Sequence, residues 1–129
     1  LYHIHFIAKL KNLKNVPSDP KVLDEWLIKL VEVAGMEILG EHQPSIRCDD
    51  EGNEGCTGTV RIKTSHASIH VWDKIDEPFA QMDLYSCKEF DSLKIMNHCA
   101  IFQPDTIDAI VLDRNGDVPK IVQNHKFIF

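Results

Sequence analysis

Lys63-Thr64-Ser65-His66-Ala67-Ser68-Ile69-His70-Val71-Trp72 carries a hydroxyl and two histidines within six residues, inside sequence that reads as strand. In alternation, Ser68, His70 and Trp72 project to one face, and Ile69 and Val71 to the other. Ser65 is a candidate nucleophile, and His66 and His70 are candidate proton carriers. The same pattern also describes a half-buried strand with two surface histidines, because a short motif alone is a hypothesis.

Neighbouring segments extend the pattern. Thr57 to Thr64 reads as the preceding strand, with Val60 and Ile62 toward a core and Arg61 and Lys63 away. Continuing that parity puts Ser65 on the non-core face. In the strand Gln81 to Cys87, Met82 and Leu84 form the core pair, so Asp83, Tyr85 and Cys87 lie opposite. Three alternation patterns therefore place Ser65, His70 and Cys87 together on the face away from the helices.

Further out, Leu1 to Leu10 alternates as a half-buried strand, with His3 and His5 on its polar side. Asp19-Pro20 opens a helix, with Asp as N-cap and Pro in the first turn. Val22, Leu23, Trp26, Leu27, Leu30, Val31 and Ala34 recur at helical spacing, and Gly35 stops the run. Met36 to His42 reads as a strand and Pro44 to Gly55 as a loop. The loop's acidic run lacks the spaced ligands of a calcium-binding EF-hand. Asp91 to Phe102 reads as a second helix, with Leu93, Met96 and Cys99 or Ala100 on one stripe. Ile107 to Leu112 is a strand turned by Asp113-Arg114-Asn115-Gly116, and Ile121 to Phe129 is read as a short added strand. Together these describe one α+β domain over residues 1–129: a two-layer sandwich, a mainly antiparallel sheet with helices on one face. The other face is either solvated or a partner surface.

Composition narrows the function classes. The 129 residues carry a net charge of -6, which argues against a nucleic-acid backbone binder. No apolar run approaches the ~20 residues that span a membrane. Cys48, Cys56, Cys87 and Cys99 form no Cys-x-x-Cys pair, so reduced thiols and a cytoplasmic location are expected.

Thr57-Gly58, then Thr64-Ser65-His66-Ala67-Ser68-Ile69-His70-Val71-Trp72, then Met82-Asp83-Leu84-Tyr85-Ser86-Cys87 resembles the bacterial-type S-adenosylmethionine decarboxylases. That family shows a Ser/Thr-Gly turn, a Glu-Ser-His-x-x-Ile-His-x-Trp core and a downstream Asp-containing strand ending in Thr/Ser-Cys. This chain has Thr64 where the family has Glu, and its loop around Asp76-Glu77-Pro78 is about two residues longer.

The resemblance implies a set of roles. The chain would cut itself between Thr64 and Ser65, leaving residue 65 as a pyruvoyl group. Its ketone would take the substrate amine and act as electron sink for decarboxylation, with no added cofactor. Ser65, His70, Thr57 and Cys87 would be catalytic: nucleophile, processing base, steadying hydroxyl and general acid. Thr64 and His66 would contact the substrate, S-adenosylmethionine, in polyamine (spermidine) synthesis. Two protomers would pack their open sheet faces together as a homodimer. Two alternatives are kept: a pyruvoyl enzyme acting on arginine or ornithine, and a non-cleaving homologue serving as a binding module. A zinc site from His66, His70 and Cys87 ranks third, and no metal is expected.

Overall fold

A computed structural model describes residues 2–63 and 65–129. Seven strands form one sheet: β1 (Ile4–Lys11), β2 (Ile46–Cys48), β3 (Gly55–Ile62), β4 (Ser65–Trp72), β5 (Phe79–Ser86), β6 (Thr106–Asp113) and β7 (Lys120–Ile128). Their spatial order is β2-β3-β4-β5-β1-β6-β7, and each neighbouring pair is antiparallel. The first strand of the sequence thus sits inside the sheet, between β5 and β6. Two helices, α1 (Pro20–Val33) and α2 (Ser92–Cys99), cover one face, and a 3-10 turn at Ala100–Phe102 follows α2. This is the expected two-layer α+β sandwich.

The period-2 pattern explains which face is covered. Phe6, Ala8 and Leu10 of β1, Ala67, Ile69 and Val71 of β4, and Met82 and Leu84 of β5 are buried under the helices. From α1, Leu23, Trp26, Leu27 and Leu30 point down onto them. Asp19 caps α1 by accepting from Lys21 N, as its sequence position foretold. The helices clasp each other reciprocally. Trp26 Nε1 donates to the His98 carbonyl at 3.0 Å, and His98 Nε2 donates to the Trp26 carbonyl at 2.9 Å. Burial holds the His98 imidazole below its usual range, so it stays neutral in this contact.

Four local readings change. Met36 to His42 is no strand. Only Ile38 bridges to Ile62, because Gly35 and Gly40 flank it at positive φ (72° and 74°) and bend the chain away. The second strand lies instead at Ile46–Cys48, inside the expected loop, as an edge strand whose Ile46 is 70% exposed. Leu93 does not join the α2 stripe. It is 55% exposed, and Ile95, Met96 and Cys99 are buried in its place. The tail forms a full nine-residue edge strand, not a short one.

Asp24 of α1 ties down the rebuilt segment. Its Oδ1 accepts from His42 Nε2 at 2.7 Å, Ser45 N at 2.9 Å and Ser45 Oγ at 3.0 Å. Burial opposes its charge, but these bonds outweigh burial and hold the carboxyl below the usual range. A depressed carboxylate contributes stability that is present above its unfolded value, near ~4, and lost as pH falls through its folded value. Asp24→Asn is therefore expected to lower the unfolding free energy read from urea titration at pH 7 by about 1 kcal/mol after solvent screening. The gap from the parent should close in titrations carried below about pH 4. A gap that stays constant with pH would contradict this account.

Candidate active site

Gly58 explains why the Thr57-Gly58 step matters. A Cβ at residue 58 would lie 2.4 Å from Ser45 Oγ and 3.0 Å from Leu27 Cδ2. Only glycine lets β3 pass this closely beneath α1. The neighbouring Thr57 points to the open face. There its Oγ1 shares a hydrogen bond of 3.1 Å with His70 Nδ1 on the adjacent strand, set by the Thr57↔His70 register. Two of the expected site residues, Thr57 and His70, are thus in direct contact. Trp72 continues that face, stacked on Phe79 with centroids 4.7 Å apart.

Ser65 is not on that face. It pairs with Ile62, a buried residue, and shares parity with buried Ala67, Ile69 and Val71. The turn at Lys63 resets the alternation, so parity extended from β3 fails at this point. Ser65 instead lines a cavity of about 380 Å³ at the sheet's end, with Ser86, Cys87, Met36, Glu37 and Lys88 around it. Its Oγ donates to the Lys63 carbonyl at 3.2 Å. Thr64, the residue expected to precede the cut, lies outside the described residues.

One chain therefore brings together two pairs of its expected site residues, but not all four. Ser65 and Cys87 share the end cavity, and Thr57 and His70 share a hydrogen bond. Ser65 and His70 are five residues apart on one extended strand, which separates them by about 16 Å. The same distance argument dissolves the zinc reading of His66, His70 and Cys87.

His66 joins a different cluster on the open face. Asp83 Oδ2 accepts from His66 Nε2 and from His5 Nε2, each at 2.8 Å. Burial opposes the charge of Asp83, but the two imidazole bonds outweigh it and keep the carboxyl below its usual range. Arg114 Nη1 donates to His5 Nδ1 at 3.3 Å and lies over the Tyr85 ring at 4.1 Å. The donor atoms of His5, His66 and Asp83 lie within 4.8 Å of one another, a set that suits a transition metal. A metal on His5 Nε2 would move the proton to Nδ1, against the Arg114 N–H. The hydrogen-bonded arrangement fits these residues better. Asp83 is thereby committed, and the carboxylate lining the Ser65 cavity is Glu37, bridged by Lys63 at 2.8 Å.

Sequence reasoning placed Tyr85 with Cys87 on the non-core face but did not bring His3 to them. His3 Nδ1 lies 3.0 Å from the Tyr85 hydroxyl and 3.5 Å from Cys87 Sγ. His3 and His5 were both visible on the polar side of the first strand's sequence, but no local signal shows the β1–β5 pairing that brings His3 to Tyr85 and Cys87 and His5 to Asp83.

Residues 4–115 match the protein family described as S-adenosylmethionine decarboxylase. The chain belongs to the S-adenosylmethionine decarboxylase family. Among relatives of this family, the S-adenosylmethionine decarboxylase proenzyme of Persephonella marina is 28% identical over 121 residues, covering 90% of this chain and 84% of the relative. The proenzyme of Methanococcus vannielii is 24% identical over 115 residues, covering 85% and 87%. The fold is also that of the Aquifex aeolicus adenosylmethionine decarboxylase crystal structure. The TM-score is 0.71 at 24% identity, over 95% of this chain and 98% of that one. Among the described residues, no helix is long and apolar enough to cross a membrane.

Proposed function

We propose that this chain is a proenzyme that cuts itself between Thr64 and Ser65 and then decarboxylates S-adenosylmethionine, as a step of polyamine synthesis. The observation that carries the reading is the shared cavity of Ser65 and Cys87, which joins the candidate cleavage residue to the candidate acid. Its volume, about 380 Å³, is within the range of small-molecule sites.

A pyruvoyl group at residue 65 would supply a ketone to take the substrate amine and the electrons that departing carbon dioxide leaves behind. The residues fit such a group. The Ser65 hydroxyl turns back along the chain it must attack, and the cavity beside it has room for a substrate head group. Cys87 stands ready to return a proton to the product carbon. Thr64, next to Ser65 in sequence, would add a contact to substrate, and His66, held by Asp83 on the open face, would contribute only from that face.

Thr57 and His70 support the same reading only if a second copy supplies them. A processing base must come within hydrogen-bond reach of the proton it takes, and about 16 Å separates Ser65 from His70 in one chain. We therefore place the Ser65–Cys87 end of one protomer against the Thr57–His70 pair of its partner, across the open sheet faces. Ile7, 36% exposed, and half-buried Trp72 and Tyr85 provide apolar material for that contact. A stable dimer would bury on the order of 1,200 Å² or more. Trp72, beside His70, offers an aromatic surface suited to the adenine ring of the substrate.

The test is release of labelled carbon dioxide from S-adenosylmethionine, arginine and ornithine by the cleaved protein, in the parent and in Cys87→Ala. The parent is expected to act on S-adenosylmethionine. Cys87→Ala is expected to cleave normally but to lose turnover by about 10²-fold or more, the usual contribution of a general acid. Activity on arginine or ornithine alone would change the substrate. Cleaved protein inert to all three would point to the binding-module alternative.

A further inference from the structure

We propose that His3 keeps Cys87 supplied with its proton. The inference rests on the reading of Cys87 as the acid of decarboxylation and names the group behind it. Register sets up the contact. Ile4 pairs with Ser86 and His5 with Tyr85, so His3 comes opposite Cys87, one step beyond the end of β1. Arg114 N donates to the His3 carbonyl at 2.8 Å, fixing the backbone there. His3 Nδ1 then stands 3.5 Å from Cys87 Sγ and 3.0 Å from the Tyr85 hydroxyl. The His3 and Tyr85 rings stack at 6.4 Å with an interplanar angle of 23°. Tyr85 thus holds the imidazole through its ring and its hydroxyl, and Nδ1 is shared between that hydroxyl and the Cys87 thiol. The charged and titratable groups around it are Tyr85 and Cys87 from the β5 side and Asp113 and Arg114 from the end of β6.

The chemistry gives such a group a task. When Cys87 protonates the product carbon, its S–H bond breaks, a C–H bond forms and a thiolate remains. The next turnover needs the thiol again. His3, as imidazolium, gives its Nδ1 proton to the thiolate, becomes neutral and takes a proton from solvent. One solvent proton is consumed for each carbon dioxide released, and nothing is oxidised or reduced. Imidazole suits this duty because its ring nitrogens can both give and take a proton. His3 acts through its contact with Cys87, so it is a positioning residue.

His3→Asn separates the two duties, since the amide retains a polar group near Nδ1 but cannot carry the proton. It should cleave as the parent does. Decarboxylation should then slow by about tenfold or more. More of the N-terminal group should be found by mass spectrometry as alanine, because a proton that arrives late is taken at the wrong carbon. A second arm does not depend on activity. In uncut Ser65→Ala protein, alkylation of Cys87 by iodoacetamide at neutral pH, read on its own peptide, should fall severalfold when His3→Asn is added. Buried Cys56 and Cys99 serve as internal references. Parent-like turnover and alanine formation, or unchanged alkylation, would overturn the assignment. If the parent never cleaves, the functional reading fails, and the alkylation arm still decides the His3–Cys87 pair.

Discussion

Ser65→Ala should remain a single chain of 14.7 kDa after prolonged incubation at neutral pH, whereas the parent should resolve into residues 1–64 and 65–129. The loss is expected to be complete, because the attacking atom is the Ser65 hydroxyl oxygen itself. The Ser65 hydroxyl is bonded to the Lys63 carbonyl and stands in a cavity with few neighbouring charges apart from Glu37, Lys63 and Lys88. A serine there is a weak nucleophile until a base reaches it. His70→Ala should therefore stall cleavage while leaving the fold intact, since His70 is exposed and, among the described residues, its side-chain hydrogen bond is to Thr57. The two fragments have nearly equal lengths, so intact mass is the deciding measurement. A parent that shows only the full-length mass would remove the pyruvoyl chemistry altogether. Cleavage in Ser65→Ala would move the scissile bond elsewhere.

Much of this architecture was legible because alternation is local. Val60 with Ile62, Ile69 with Val71, and Met82 with Leu84 each reported their covered face correctly. The helix from Asp19-Pro20 to Gly35 was legible for a similar reason, since cap, stripe and stop are all short-range signals. The failures came where a turn or a long-range pairing intervened. At Lys63 the turn shifts parity by one, which moves Ser65 to the covered side. At Met36 to His42 the alternation was real, but two glycines at positive φ prevent a ladder. Placing β1 between β5 and β6 joins residues about 80 positions apart, as in His3 with Tyr85 and His5 with Asp83. No window of sequence holds both partners of such a contact. The residues of the candidate site were therefore identifiable singly, while their grouping into an end cavity, a Thr57–His70 pair and a histidine–aspartate cluster was not.

That grouping sets up the second expected result. Ser65→Ala and His70→Ala proteins, each unable to cleave alone, should regain cleavage when mixed under conditions that exchange subunits. In the mixed dimer, the His70→Ala chain still carries Ser65, and its partner still carries His70. One of the two composite sites is then whole. Cleavage should appear only in the His70→Ala chain, which a mass tag on either chain would identify. The expected change is from no product to a substantial fraction of that chain, limited by how many mixed dimers form. The geometry makes the alternative distinct. If one chain assembled its own site, β4 would have to bend so that Ser65 and His70 met, and mixing would restore nothing. The extended pairing of β4 with both β3 and β5, from His66 through Trp72, holds the strand straight against such a bend. Mixed protein that stays uncut, with dimers verified by light scattering, would therefore count against the shared site and would return His70 to a role within the hydrogen-bonded face it occupies.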